Sequence, residues 1–199
     1  MRTFNDSWSV KKTLIAFLVV LTLLTLTNAT WAKEKPLSYP FTSNSGQYWQ
    51  YSSDRVMGGI SNGQVKLEQD GDMIFARLSG DVSTRNNGGF IQLRTGMSLA
   101  DTEKNGTQLQ GVRLNVRGNG ETYYIFIRTN ETRSYSDYYS ATFTANKNWQ
   151  MIDLPFRTFE RKRSKNSVLK ADAINSFGIV AYGRDFTADV SVSTIEFYY

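Results

Sequence analysis

The side chains that most often carry enzyme chemistry are missing from this sequence. It contains no histidine and no cysteine, which excludes a Ser-His-Asp triad, a thiol nucleophile, disulfides and zinc bound by imidazole or thiolate. A pair of carboxylates spaced as in a glycosidase could still act, but nothing in the sequence brings two of the candidates together: Asp54, Asp81, Asp101 and Asp137. Calcium needs only oxygen ligands, yet no loop signature for it is present. We therefore expect no catalytic residues, no metal site and no cofactor.

Residues suited to binding are more promising, because arginine, asparagine and aromatic side chains recur in two neighbouring segments. Asn119-Gly120 lies between these segments and is the dipeptide favoured by a two-residue hairpin turn with both residues at positive φ. The register of such a hairpin would collect one set of side chains on the face away from the core: Arg113, Asn115, Arg117, Tyr124 and Phe126. These residue types suit a sugar or a protein partner. The alternative is that they only coat a solvent-facing sheet.

Two glycine-rich stretches, residues 54–61 and 86–90, form the second candidate region. Neither has the Lys-Ser/Thr ending or the following helix of a phosphate loop. Paired glycines in β proteins more often mark bulges or close backbone approach, so we predict a structural role for Gly58, Gly59, Gly88 and Gly89. The side chains beside them are further binding candidates: Asp54, Arg55, Met57, Asn86 and Asn87.

Two details of these stretches can be predicted. Residues 86–90 are expected to form a bend at the start of a strand, with Phe90 pointing inward and the two asparagine amides holding the turn. Asp54 is expected to be a turn residue whose carboxylate accepts hydrogen bonds from nearby backbone N–H groups. The alternative is that the Gly-Gly motifs line a binding site.

Strands are the elements predicted to position these residues. Short runs rich in Val, Ile, Phe, Tyr and Thr alternate with Gly, Asn, Asp and Ser clusters, and no long stretch has a helical period. The runs cover residues 73–78, 89–94, 112–117, 123–129, 138–145, 149–154, 176–182 and 190–199. Their spacing predicts an all-β sandwich or jelly roll. A chain of 199 residues, 40% of them hydrophobic, suits a single domain.

The beginning of the chain has the pattern of a secretory signal peptide. Arg2, Lys11 and Lys12 precede the uncharged apolar stretch 13–26, and small residues follow it. The apolar run of about 14 residues is shorter than the ~20 that a spanning helix needs. We predict a signal peptide over residues 1–32, a lead-in segment over 33–48 and the domain over 49–199, with export to the periplasm or the extracellular space. The alternative is an uncleaved membrane anchor.

Several separated motifs also carry a resemblance to a known family. They are Asp54-Arg55-Val56-Met57-Gly58-Gly59-Ile60-Ser61, Asn86-Asn87-Gly88-Gly89-Phe90 with Arg94, Arg117-Gly118-Asn119-Gly120 with Tyr123, Trp149-Gln150, and Leu154-Pro155-Phe156 with Phe159. From about Trp49 to Tyr198 the chain resembles the complex I intermediate-associated protein 30 family. The resemblance implies a galactose-binding-like β-sandwich that helps to assemble the membrane part of NADH:ubiquinone oxidoreductase without joining the finished enzyme. The sequence departs from the family after Phe159, where Glu160-Arg161-Lys162-Arg163 replaces a frequent Arg-Gly turn.

Three function classes follow from these observations. We expect a non-catalytic binding protein, a chaperone-like assembly factor for a respiratory NADH dehydrogenase or another membrane-associated complex, whose partner is a protein. The alternative is an exported carbohydrate-binding module, and an enzyme has the least support. The basic run at residues 161–165 is predicted to be a solvated loop, and the alternative is a patch for an anionic lipid or nucleic acid. Nucleic acid is not expected as a partner, because an exported protein does not meet it.

Overall fold

A computed structural model describes residues 35–100, 102, 107–164 and 167–199. The predicted signal peptide therefore lies outside the described residues. The described chain consists of strands and short 3-10 turns, and the strands are β1 Leu37–Pro40, β2 Gln50–Ser53, β3 Asn62–Asp70, β4 Met73–Val82, β5 Phe90–Gly96, β6 Gly111–Gly118, β7 Thr122–Thr129, β8 Tyr139–Thr144, β9 Gln150–Pro155, β10 Glu160–Arg161, β11 Ile174–Tyr182 and β12 Phe186–Tyr198. Within these residues no helix is long and apolar enough to cross a membrane.

The strands form two antiparallel sheets that pack face to face, so the predicted all-β sandwich is confirmed. Sheet A has the order β3-β4-β12-β6-β9, and β1 pairs with the second half of β12. Sheet B has the order β10-β8-β7-β11-β5-β2. Each strand has one face toward the other sheet and one outer face, because side chains alternate along a strand.

The core lies between the sheets and is made of the alternating apolar residues. In β7, Tyr123, Ile125 and Ile127 are fully buried in this core, whereas Tyr124 and Phe126 belong to a separate cluster on the outer face of sheet B. The same alternation in β6 buries its valines and leucine and leaves its arginines outside. The sequence period thus determines which side chains are available for binding.

The prediction of a hairpin at Asn119-Gly120 is wrong. β6 pairs with β12 and β9 in sheet A, whereas β7 pairs with β8 and β11 in sheet B. Gly120 has a φ of 88°, but Asn119 is not among the described residues with positive φ, so the turn is not of the predicted type. The dipeptide instead connects the two sheets.

Hydrogen bonds to both sheets hold this crossing in place. The Asn119 N–H donates to the Asp189 carbonyl in sheet A (3.1 Å), and the Gly120 N–H donates to the Ala145 carbonyl beside sheet B (2.7 Å). The Tyr123 hydroxyl donates to the Asn119 side chain (2.7 Å) and accepts the Asp189 N–H (2.8 Å). Burial raises the pKa of Tyr123 to about 12. The connection is therefore fixed by partners that are distant in sequence.

Candidate functional site

The structure separates the five side chains of the predicted binding face. Arg113, Asn115 and Arg117 lie on the outer face of sheet A, and Tyr124 and Phe126 lie on the outer face of sheet B. The hydrophobic core stands between the two groups. No single ligand patch of the predicted kind exists, because the hairpin that would have joined these residues is a crossing between sheets.

The arginines on the outer face of sheet A are already paired within the protein. Arg113 Nη2 donates to Asp153 (2.7 Å), and Arg77 holds Asp189 with two bonds of 2.7 Å. Arg117 pairs with Asp70 at 3.5 Å, and its guanidinium lies 4.8 Å from the ring centroids of both Phe75 and Trp149. Asn115 donates to the Ser193 hydroxyl at 2.8 Å.

A shallow depression of about 270 Å³ on this face is lined by Arg77, Arg117 and Lys147. Two of these three cations form the ion pairs just described. The interactions of this face are therefore largely internal.

The outer face of sheet B carries a different group, an aromatic patch formed by Phe90, Tyr124, Phe126, Tyr138 and Tyr182. The rings of Phe126 and Tyr138 are stacked with their centroids 3.9 Å apart, and Tyr182 meets Phe126 edge-on at 5.2 Å. Tyr124 contacts Tyr182 at 5.5 Å.

The rings of the patch differ in their access to solvent. Phe126 and Val180 are buried and form the floor, whereas Phe90, Tyr124 and Tyr182 are half-buried. Burial and a hydrogen bond to the Tyr182 hydroxyl raise the pKa of Tyr138. The patch therefore offers partly exposed rings on an ordered apolar base, an arrangement typical of binding surfaces.

Two arginines lie beside the aromatic patch at the centre of sheet B. Arg94 on β5 is directly opposite Gly178 on β11, and Phe126 is opposite Gly178 on the other side. Arg128 is the next outward residue after Phe126 on β7. Neither arginine forms a salt bridge with a described residue.

Arg128 is half-buried. Its Nη2 donates to the Tyr135 carbonyl (2.8 Å), while its Nε is buried without a hydrogen-bond partner. Burial lowers the pKa of Arg128, and the positive charge of Arg94 lowers it further. The centre of sheet B thus carries two cations that are not neutralised by the described part of the chain.

The two glycine-rich stretches meet at Asp54, which is completely buried. Its carboxylate accepts hydrogen bonds from the backbone N–H groups of Ser61 (3.0 Å), Gly89 (2.6 Å) and Phe90 (3.1 Å), and a short one from the Ser61 hydroxyl. Burial alone would raise the pKa of Asp54, but these hydrogen bonds outweigh it and the pKa is lowered. The prediction that Asp54 bonds nearby N–H groups is confirmed.

The neighbouring glycines leave room for this carboxylate. A Cβ added to Gly59 would lie 2.4 Å from the Asp54 side chain, and one added to Gly88 would lie 2.6 Å from it. Gly58 ends the turn Asp54–Met57 in the left-handed region, with a φ of 93°. These contacts give the motifs a structural role.

The bend before β5 is present, but two details of its prediction are wrong. Phe90 lies on the outer face with the aromatic patch, because the next residue, Ile91, is the one that enters the core. The bend is held by the backbone N–H groups of Gly89 and Phe90, which donate to the Asp54 carboxylate, and not by the asparagine amides. Asn86 and Asn87 instead adopt positive φ values of 56° and 57°, which asparagine tolerates better than most residues.

The remaining candidates lie on the exposed turn that begins at Asp54. Val56 is 79% exposed and Met57 62% exposed, and Arg55 is also exposed. Asp54 fixes this turn to the start of β5, where Phe90 joins the aromatic patch. Arg55 and Met57 are thus held at the end of sheet B that carries the patch.

The sequence analysis missed several members of the sheet B face: Gln92, Arg128, Tyr138, Gly178 and Tyr182. Arg94 entered only through the family motifs. The alternation of β5, β7 and β11 contains the signal, since it separates these outward residues from the core residues between them. The order of the strands in the sheet could not be predicted from this alternation. Among the described residues, no group of three or more acidic side chains is placed to hold a metal ion.

Solved structures similar to this chain include carbohydrate-binding modules. A family 11 module of the cellulosomal cellulase Lic26A-Cel5E of Clostridium thermocellum matches with a TM-score of 0.63 and 12% identity, over 83% of this chain and 96% of that one. The family 11 module of the same organism in complex with a β-1,3-1,4-mixed-linked tetrasaccharide matches with a TM-score of 0.62 and 14% identity, over 81% and 95%. At these identities the likeness shows the fold.

Sequence comparisons give a narrower result. No curated protein matches the chain. Residues 39–190 match the sequence profile of the family described as complex I intermediate-associated protein 30, a stretch that includes both glycine-rich motifs, the crossing between the sheets and most of the outer face of sheet B. The chain belongs to the complex I intermediate-associated protein 30 family.

Proposed function

We propose that this protein is a non-catalytic binding protein that acts as a chaperone-like assembly factor for a membrane-associated protein complex, such as a respiratory NADH dehydrogenase. Family membership supports the assembly role. The outer face of sheet B supports binding and is the face we assign to the partner.

The observation that carries this assignment is the contrast between the two outer faces. On sheet A, Arg77, Arg113 and Arg117 have carboxylate partners within the protein. On sheet B, half-buried rings stand beside two arginines without such partners. Tyr and Arg are the residues that contribute most to protein interfaces when an interface covers them. A partner on sheet B would therefore gain more free energy than one on sheet A.

We also propose that the protein acts outside the membrane through which it is exported. The pattern of residues 1–32 supports export through a membrane, which would bring the domain to the outer surface of that membrane. An assembly factor on that side would meet the exposed segments of membrane subunits.

Site-specific photo-crosslinking in the cells that make the protein tests the proposal. A photoreactive benzoylphenylalanine at Tyr124 probes the aromatic patch, and one at Met151, which is 53% exposed on sheet A, is the matched control. We expect membrane proteins to be cross-linked at position 124 and not at position 151. Equal cross-linking at both positions, or cross-linking only at 151, would contradict the assigned face.

An exported carbohydrate-binding module is the second candidate, and the half-buried rings of Tyr124 and Tyr182 beside Gln92 favour it. Sugar rings stack on aromatic faces while amides bond their hydroxyls. One similar structure is a complex with a mixed-linked tetrasaccharide. Retention on a glycan array, lost in Tyr124→Ala and kept in Met151→Ala, together with no cross-linked protein, would replace the assembly role with this one.

A further inference from the structure

Arg94 and Arg128 lie on β5 and β7, the two strands that flank β11 in sheet B. Arg94 is opposite Gly178, and Arg128 is opposite Ser176, two residues along β11. Neither arginine forms a salt bridge with a described residue. We infer that the outer face of sheet B recognises an acidic peptide segment, whose Asp or Glu carboxylate binds over Gly178 between the two guanidinium groups. This inference rests on the proposed function, because it gives the chemistry of the partner segment that the face would bind.

The first argument for an acidic segment is electrostatic. Two like charges that are close and partly dehydrated repel each other more strongly than they would in water. A carboxylate between them interacts favourably with both, and the planar guanidinium group presents paired N–H donors that match its two oxygens. Among the described strand residues of this face, the acidic one is Glu160, which lies on the edge strand β10 with β8 between it and β7. It does not sit over Gly178. The nearby Asp137 and Glu131 are paired with Arg161.

The second argument concerns Gly178, because neither packing nor backbone conformation requires a glycine at this position. Its φ lies outside the left-handed region, and an added Cβ would lie 3.4 Å from Gln92 Oε1, an ordinary contact. Gly in the middle of a strand weakens it and often marks a close approach of a ligand. The missing side chain leaves a gap in the row formed by Arg94, Gly178 and Phe126.

The floor of the patch favours a peptide over an acidic glycan. Phe126 and Val180 lie beside the gap and have no hydrogen-bonding side-chain groups. Gln92 could bond a sugar hydroxyl on one side of the gap, but a sugar acid would also bring hydroxyls against Phe126 and Val180, and burying a hydroxyl without a partner costs free energy. An apolar or aromatic side chain next to the Asp or Glu would instead be stabilised by burial there.

A positional-scanning library of synthetic octapeptides, each position fixed in turn as each amino acid, tests the inference on the purified full-length protein in mild detergent. We expect one position to prefer Asp or Glu over Asn or Gln, with an adjacent position preferring aliphatic or aromatic residues. Arg94→Gln and Arg128→Gln should each weaken binding of the selected acidic peptides by about ten- to hundred-fold and remove the acidic preference. Arg94→Lys should keep part of it, since the charge remains without the planar fork.

Two controls make the result specific. Arg113→Gln removes an arginine from sheet A and should leave peptide binding unchanged, because Arg113 is on the opposite side of the core. Gly178→Val fills the gap in a strand that tolerates β-branched residues, so it should remove acidic-peptide binding while thermal melting shows that the fold is kept.

Peptide binding without an acidic preference would overturn this inference and leave the protein-binding function standing. Equal weakening by Arg113→Gln would also overturn it. Retention of polygalacturonate with no retention of peptides would replace the peptide with an acidic glycan. No retention of any peptide, together with no cross-linking at position 124, would overturn both the inference and the proposed function.

Discussion

Asp54 is the clearest case of one residue that organises several distant segments. It joins Ser61, at the end of its own loop, to Gly89 and Phe90 at the start of β5. The carboxylate is buried without a cation in its hydrogen-bond shell, so its charge is stabilised by backbone N–H groups. The stability of the end of sheet B that carries the aromatic patch therefore depends on an ionised Asp54.

The first prediction concerns pH. The folded pKa of Asp54 is lowered, so its contribution to stability is present above the ordinary pKa of about 3.9 and is lost as the pH falls through the folded pKa. Asp54→Asn should lower the free energy of unfolding at pH 7 by about 3 kcal/mol, since buried donors lose their acceptor, and should flatten its dependence on pH below about 4.

Urea unfolding between pH 7 and pH 3 measures both quantities. Asp72→Asn, at an exposed position between β3 and β4, is the control and should behave as the wild type does. An Asp54→Asn variant as stable as the control would show that the hydrogen bonds of Asp54 are not needed.

A second residue, Arg161, belongs to the basic run that the sequence predicts to be a solvated loop. Its side chain is only 14% exposed and holds the nearly buried Asp137 with bonds of 2.8 and 3.1 Å, and it also donates to the Glu131 carbonyl at 3.1 Å. Hydrogen bonding by the Arg161 side chain lowers the pKa of Asp137. Arg161 thus anchors the segment that leads into Tyr138 of the aromatic patch.

The second prediction follows from this buried pair. Arg161→Gln should lower the free energy of unfolding by about 3 kcal/mol, because Asp137 would remain buried without its cation. Arg163→Gln is the matched control from the same run, since Arg163 is exposed and, among the described residues, its side chain hydrogen-bonds the Ser136 hydroxyl and no carboxylate. It should change stability by less than about 0.5 kcal/mol. Chemical unfolding of the two variants checks this. Equal effects would mean that the ion pair with Asp137 contributes little.

At the scale of elements, the strands with strong apolar alternation could be predicted and the weak ones could not. All eight predicted runs correspond to strands, from β4 to β9 and then β11 and β12. β3 was missed because its residues Asn62–Asp70 are mostly polar on an edge of sheet A. β1, β2 and β10 are four residues or shorter, too short for a period to be visible.

The candidate site was harder to predict than the strands, for a reason that Asn119-Gly120 makes plain. A short loop with a hairpin dipeptide is compatible both with two paired strands and with a crossing between two sheets. The choice is made by Asp189 and Ala145, which bond this loop from far along the chain. Local sequence places Tyr124 and Phe126 outward, but only the strand order shows that Tyr182 and Arg94 are their neighbours.

The third prediction separates close packing from backbone strain in the glycine-rich loop. Gly88→Val should lower the melting temperature by several degrees, since its Cβ would enter the space of the Asp54 carboxylate. Gly89→Val should also destabilise, because Gly89 has a φ of 127°, which a β-branched residue strongly disfavours. Gly46→Val is the control, since its Cβ would be 3.7 Å from Leu67. Unchanged melting of both loop variants would leave a role in ligand binding.

At the scale of the whole molecule, the sandwich places two chemically different surfaces on opposite sides of one core. The arginines on the outer face of sheet A are paired with carboxylates of the protein itself, and exposed pairs of this kind contribute little to stability in water. The outer face of sheet B leaves charges and rings for a partner. A partner of the proposed kind would therefore bind on one side of the molecule.

The fourth prediction concerns export. If residues 1–32 are a signal peptide, the protein recovered from its own compartment begins near Lys33, and intact mass spectrometry should show the loss of that segment. Detection of the full 199-residue mass in the membrane fraction would instead support an uncleaved anchor.

The position of β12 determines when this sandwich can form. It is the last strand in chain order, yet it pairs with β4, with β6 and with the first strand, β1. Sheet A is therefore incomplete at its centre until residues 186–198 have been synthesised. A nascent chain that lacks them cannot complete the core, because β12 contributes Val190, Val192, Ile195 and Phe197 to it. If residues 1–32 direct export as predicted, we expect the native sandwich to form only after β12 has reached the far side of the membrane.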